Sequence, residues 1–169
     1  MEISEIQLLE KQLFKHLGKK ISKIQLEAES KEYLALTFQL DGQKVIFRKA
    51  KITPTKTGQF VTIWKRNLDG ITASFDISDD FQFIIILAQK EESLGLFIFP
   101  KATLHQKRII SDENKDGKRG IRVYPSWDSP TSKQAIKTQE WQSDFFLDLG
   151  LKLNPSSPQI GKAERILRN

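Results

Sequence analysis

The chain has 169 residues, 38% apolar and 28% charged, enough to build one hydrophobic core and too apolar for wholesale disorder. It contains no cysteine, which excludes a disulfide framework, a thiol nucleophile and any thiolate metal site, and leads us to expect a reducing, cytoplasmic setting. Its formal charge of +6 is unevenly spread: residues 44–66 carry seven Lys or Arg and no acid, residues 67–100 six acids against one Lys, and residues 101–122 seven cations against three acids.

The N-terminal segment predicts a helix. Ser4 suits its N-cap with Gln7 three residues on, Ile6, Leu9, Leu13 and Leu17 form one apolar stripe, and Gly18 supplies a stop. Glu2, Glu5 and Glu10 among these apolar residues, with no small-residue cleavage site, argue against a signal peptide. From Tyr33 the period shortens: residues 33–40 read as a strand, Asp41-Gly42 as a two-residue hairpin turn and residues 44–50 as the return strand. Residues 53–58 are loop, 59–65 a further strand, and Leu68-Asp69-Gly70 a turn.

Residues 81–88, FQFIIILA, are apolar on nearly both faces, the pattern of a strand buried in mid-sheet. The unbroken apolar run inside it is far short of the ~20 residues that span a bilayer, so no membrane association is expected. A strand over 95–99 stops at Pro100, a polar loop covers 111–120, and a short strand follows at 121–124. Ser129 and Pro130 suit the cap and first position of a closing helix in which Trp141, Phe145 and Leu149 repeat every fourth residue. Residues 1–153 then read as one domain, and the basic segment 154–169, opened by Asn154-Pro155-Ser156-Ser157-Pro158, as a loosely attached tail. This order predicts an α/β (α+β) fold, one mixed central β-sheet flanked by helices.

Three groups of residues carry candidate chemistry. In the first, Arg48, Lys49, Lys51, Lys56, Lys65 and Arg66 surround the Thr-Pro-Thr-Lys-Thr-Gly loop, whose hydroxyls and N–H groups suit phosphate. Arg48 and Ala50 share one strand face, Lys49 and Lys51 the other. A solvated edge guarded by lysines is the plainer reading of any one of them, but solvated faces normally mix signs and this block does not. In the second, Lys101 follows the Phe97–Phe99 strand and aims an ammonium at the sheet edge, with Lys118, Arg119 and Arg122 on a loop that reads as a cationic contact or a polar hairpin. In the third, Gln139 falls off the helix's apolar stripe and is placed to meet a base edge or phosphate, Trp141 belongs to the core, and Trp127 reads as a stacking group or a lid. Catalytic patterns are scarce. His16 and His105 lack a paired nucleophile, no glycine-rich phosphate loop occurs, and Asp79 and Asp80 either begin the buried strand or hold a divalent metal.

Four ordered motifs bear a family resemblance: residues 47–66, residues 95–101, residues 117–124 through Trp127-Asp128, and Gln134-Ala135 with Lys137-Thr138-Gln139 before Trp141-Gln142. Together they resemble the bacterial MepB family, which is itself similar to the PD-(D/E)xK restriction-endonuclease-like fold. That resemblance implies Asp80 as the first acid of a nuclease site and Lys101 as its lysine, with Phe99 standing where the second metal-binding carboxylate belongs. Two carboxylates hold the metal that activates water, so these two are expected to be relict catalytic candidates, with no metal and no cofactor. The expected function is low-specificity nucleic-acid binding, DNA or RNA, through Arg48, Lys49, Lys51, Lys56, Lys65, Arg66, Lys101, Lys118, Arg119, Arg122 and Gln139. The alternatives are a metal-dependent nuclease with Asp79 or Glu140 as displaced carboxylate, and an accessory protein that binds an anionic small molecule or protein in drug efflux or stress. Homo-oligomerisation is left open.

Overall fold

A computed structural model describes residues 2–150 and 152–168. Helix α1 (Ser4–Gln12) runs into a short 3-10 turn that ends at Gly18, whose φ of 64° gives the left-handed stop its lack of Cβ permits. The helix starts at the residue expected to cap it: Ile3 holds the cap position, and the Ser4 hydroxyl instead bonds Glu5. Strand β1 (Ile21–Leu26) follows, then β2 (Leu36–Leu40) and β3 (Gln43–Lys49). Asp41 and Gly42 join the last two with φ of 49° and 83°, the two positive values of a tight hairpin turn.

β4 (Lys51–Ile52) and β5 (Gln59–Thr62) leave the main sheet. The strand expected over 59–65 is broken at Ile63, and β6 (Trp64–Arg66) pairs instead with β7 (Thr72–Ser74) in a separate ribbon. β8 (Phe83–Lys90) and β9 (Ser93–Pro100) form the central hairpin, followed by α2 (Lys101–Gln106), β10 (Gly120–Val123), α3 (Lys133–Ser143), β11 (Phe146–Asp148) and α4 (Pro158–Leu167). The main sheet has the order β1-β2-β3-β8-β9-β11, antiparallel except where β3 and β8 run parallel, and β10-β5-β4 make a second sheet. The fold is thus mixed α+β around one mixed central sheet.

β8 explains the layering. Phe83, Ile85 and Leu87 join the core under α1 and α4, while Ile84, Ile86 and Ala88 join the core under the second sheet and α2. A strand buried on both faces needs cover on both, and the chain supplies it. In β9, Gly95 is required because the Phe146 ring lies across it, and a Cβ there would sit 2.3 Å from that ring.

Two expectations for the C-terminal part are corrected. The closing helix starts at Lys133, with the Ser132 hydroxyl accepting the Ala135 N–H at 3.1 Å, so Ser129 and Pro130 are not its cap. It ends at Ser143, and Phe146–Asp148 become an edge strand on β9, which buries Leu149 by strand geometry rather than helical period. The segment expected as a loose tail folds as α4, with Pro158 in its first turn and Ile160, Ala163, Ile166 and Leu167 buried on the main sheet. Lys162 secures it by donating to the carbonyls of Ser143 and Phe146 at 2.8 and 2.6 Å.

Arg48 is fully buried, and its Nη1 and Nη2 donate to the two carboxylate oxygens of Glu27 at 3.2 and 3.1 Å. Removing one partner of such a pair leaves an uncompensated charge in the interior. Glu27→Ala is expected to cost about 3 kcal/mol or more in urea unfolding, and Arg48→Met distinctly less, because the latter removes the charge and refills the space.

Candidate functional site

The cations expected to share one surface are divided among different tasks. Arg48 cannot reach a phosphate: besides Glu27, its Nε and Nη1 donate to the carbonyls of Thr62 and Phe47, and its guanidinium lies 5.9 Å from the Phe75 ring. Burial pulls its pKa below the ordinary arginine value, an effect that Glu27 opposes. Lys49 turns to the α1 side and meets Glu5 at 3.0 Å. Lys65 pairs with Asp79 at 2.6 Å, and Lys101 donates to the Asp79 carbonyl with its ammonium 4.8 Å from the Phe81 ring. Arg66 pairs with Glu29 at 2.6 Å and stacks over Trp64. Gln139 serves the fold: its Nε2 donates to the carbonyls of Pro125 and Asp128 at 3.0 and 2.8 Å and so fixes the loop before α3.

Of the nuclease-like set, Lys101 is held beside Asp80 through its bond to the Asp79 carbonyl. Lys101 is the first residue of α2, not a continuation of β9. Asp80 is exposed, whereas Phe99 is fully buried against Phe97, Trp141 and Phe145. Among the described residues no three His, Asp or Glu side chains are grouped to hold a metal ion. Trp127 packs edge-on against Phe146 and covers the core.

Part of both cationic blocks does come together. Between the outer face of the second sheet and α3 opens a cleft of about 560 Å³, lined by Lys56, Lys107, Lys118 and Arg122 and by no acid. Its aromatic lining is Phe60, Tyr124 and Trp141, with hydroxyl and amide groups from Ser132, Gln134 and Thr138. Cross-strand register produces the sheet side of this wall. Phe60 stands opposite Lys51 on β4 and Arg122 on β10, so all three project from one face. Gly120 leaves room for the Phe60 ring, since a Cβ there would fall 2.5 Å from it.

Arg122 faces the cleft and shapes it, donating to the Thr57 carbonyl and the Thr53 hydroxyl at 3.1 and 2.5 Å; this pins the loop that presents Lys56. The opposite wall is attached by Gln142, which is fully buried. Its Oε1 accepts the Tyr124 N–H at 2.9 Å and its Nε2 donates to the Arg122 carbonyl at 3.0 Å, so a side-chain amide completes the free edge of β10 as a strand would. Lys107 reaches the cleft from the end of α2, its ammonium 5.4 Å from the Trp141 ring. Sequence reasoning had Phe60 and Gln142 within its motifs but gave neither a role at the site. The alternation of Gln59–Thr62 held the signal for Phe60, but nothing local marks an amide that pairs with a distant strand.

Lys118 owes its place to the preceding loop. Asp112 accepts the N–H groups of Asn114 and Lys115 at 2.8 and 2.9 Å and bonds His105 Nε2 at 2.8 Å. The His105 bond, followed by those two N–H groups, lowers the Asp112 carboxyl from 3.8 to about 2. A depressed carboxyl stabilises the loop above its unfolded pKa and ceases to do so as pH falls through its folded one. The amides of Asn114 and Lys115 are therefore expected to hold their NMR shifts down to about pH 4 and then to move with a midpoint near 2. A midpoint near 3.8 would show that these bonds do not hold the carboxylate.

A family model described as MepB-like matches residues 27–148. A crystal structure of MepB is 31% identical, covers 88% of this chain and 97% of its own, and superposes with a TM-score of 0.75. The structure of the bacterial homing endonuclease I-Ssp6803I is 15% identical over 81% of this chain and 82% of its own, with a TM-score of 0.45. A comparison with curated proteins gives no match. With one model spanning β2 to β11, the cleft and α3, and a solved relative similar over nearly its whole length, the chain belongs to the MepB-like family.

Proposed function

We propose that the protein binds nucleic acid with low sequence specificity, and that the cleft between the second sheet and α3 is its principal phosphate site. The observation that carries this reading is the union of four cations, three aromatic rings and no acid in one open cleft. Lysine and arginine neutralise phosphates and release their counterions, while rings offer stacking surface to any base. Neither contact reads sequence, so discrimination among sequences should be weak. Lys51 and Arg119, exposed beside the cleft, extend its field. The likeness to MepB is consistent with this reading but assigns no ligand.

We also read the site as non-hydrolytic. Phe99 is packed into the aromatic core where a metal-binding carboxylate would have to reach solvent, and the carboxylate of Asp79, a candidate substitute, is taken up by the Lys65 ammonium and the Asp76 N–H. Incubation of plasmid and RNA with Mg²⁺ or Mn²⁺ tests this: cleavage that vanishes in Asp80→Ala would overturn it. One observation favours an anionic small molecule instead, namely that the cleft's volume lies within the ~300–1,000 Å³ of small-ligand sites. Competition by a mononucleotide at concentrations that displace an oligonucleotide would support that second reading.

The deciding measurement is a fluorescence titration with a mixed-sequence oligonucleotide across ~50–200 mM salt. Wild type should show a steep negative salt slope, and Lys56→Gln with Lys118→Gln should make it shallower by about 2, since each lost phosphate contact removes ~0.9. These lysines are exposed, so the thermal midpoint should hold. A slope that is flat, or indifferent to the pair, would refute the reading.

A further inference from the structure

One feature outside the cleft shares its surroundings. The β6–β7 ribbon closes through residues 67–71, and Leu68 at its tip is fully exposed, with Ile71 61% exposed beside it. Exposed aliphatic residues are ordinary when scattered on a loose loop. This turn is tightly bonded. The Asn67 N–H donates to the Ile71 carbonyl and the Gly70 N–H to the Asn67 carbonyl, each at 2.9 Å. The Asn67 side-chain oxygen accepts the N–H groups of Asp69 and Ile71 at 2.9 and 3.0 Å. Arg66 Nη1 then closes the ribbon from one side by donating to the Gly70 carbonyl at 3.0 Å. The chain therefore holds two aliphatic side chains in water in an ordered shape, and the entropy of presenting them is already spent.

The charges around the tip indicate what such a projection meets. Arg66 stacks on Trp64 within the ribbon, and Arg119 Nη2 donates to the Thr72 carbonyl of β7 at 3.1 Å, so an arginine flanks each strand. Arg119 directly follows Lys118, which lines the cleft. Cations thus run from the cleft to the ribbon, and the aliphatic tip lies at the end of that run. Asp69 is the only acid in the turn; at its base Arg66 is paired with Glu29 at 2.6 Å, while Arg119 is bonded to a carbonyl and not to an acid.

We infer that Leu68 and Ile71 form an apolar wedge that enters a base step of a nucleic-acid duplex while Arg119, next to Lys118 of the cleft, holds the adjoining phosphate. This rests on the nucleic-acid reading of the cleft and adds the form of the ligand, a duplex opened at one step. Unstacking a step is costly, and a wedge is useful where flanking cations recover that cost through phosphate contacts. A preformed, rigid tip suits this better than a flexible one, because little ordering remains to be done on binding.

The test uses the full chain and a mixed-sequence duplex with 2-aminopurine at its centre, whose emission rises when its neighbours unstack. Wild type should raise that emission, and Leu68→Ser with Ile71→Ser should abolish the rise and weaken duplex binding about tenfold. The salt slope should not change, since no charge is altered, and neither should the thermal midpoint, since both side chains are exposed. Equal emission and affinity in variant and wild type, while Lys56→Gln with Lys118→Gln still flattens the slope, would sink the wedge and leave the cleft reading intact. No binding by wild type at ~50 mM salt would sink both. Loss in the serine variant of binding to phosphatidylcholine–phosphatidylserine vesicles, or of self-association, with duplex affinity unchanged, would assign the tip to a membrane or to a second copy and overturn the proposal.

Discussion

Arg48 is the residue on which the arrangement of the two sheets depends. It belongs to β3, yet its guanidinium reaches Glu27 before β2, the Thr62 carbonyl at the end of β5 and the ring of Phe75 just past β7. Each is a segment that has left the main sheet and must be returned to it. A wholly apolar side chain at this position would hold these segments by contact alone, without fixing their direction. The planar guanidinium fixes direction as well, because its N–H groups point to particular acceptors. Burying the charge is tolerable only because a carboxylate and two carbonyls meet it. Those bonds set where β5 ends, and with it the place of Phe60.

The cleft is a consequence of that placement. Once β5 is set, register carries Lys51 and Arg122 to either side of Phe60 on the same face, and Gly120 leaves the ring its space. The wall opposite must then be held at a distance from a strand with an unpaired edge. Gln142 does this by pairing with both the Tyr124 N–H and the Arg122 carbonyl. Satisfaction of a buried backbone edge and the width of the cleft are therefore the same structural fact. Arg122 extends the dependence to the Thr53 and Thr57 loop, which places Lys56 on the rim.

Local pattern made much of the fold legible. The double-faced apolar run of β8, the Asp41-Gly42 turn and the stripe of α1 each state their structure within a few residues, because burial and turn geometry act over that range. The elements that escaped are those that tertiary contact decides. β1 carries Lys23 at positive φ and a register shift beside it, so its alternation is broken where a sequence reading needs it. β11 takes over the helical period of Trp141, Phe145 and Leu149 because an edge of β9 stands open to it. α4 follows a Pro- and Ser-rich break that looks like the end of order, and its four buried apolar positions outweigh that signal.

For the site, the sequence revealed the excess of charge but not its allocation. Residues 44–66 contain no acid, yet Glu5, Glu27, Glu29 and Asp79 come from elsewhere in the chain to meet Lys49, Arg48, Arg66 and Lys65. Counter-charges supplied by distant segments are invisible to a window of any useful length. The consequence is selective: the cations facing the acids hold elements together, while Lys56, Lys107 and Lys118 join Arg122 on a cleft wall that no acid lines. A local excess of Lys and Arg is thus an upper bound on binding capacity, reduced by every acid the fold brings back to it. What survives here is a smaller set than composition suggests, but it converges on one cleft and the phosphate reading rests on that convergence.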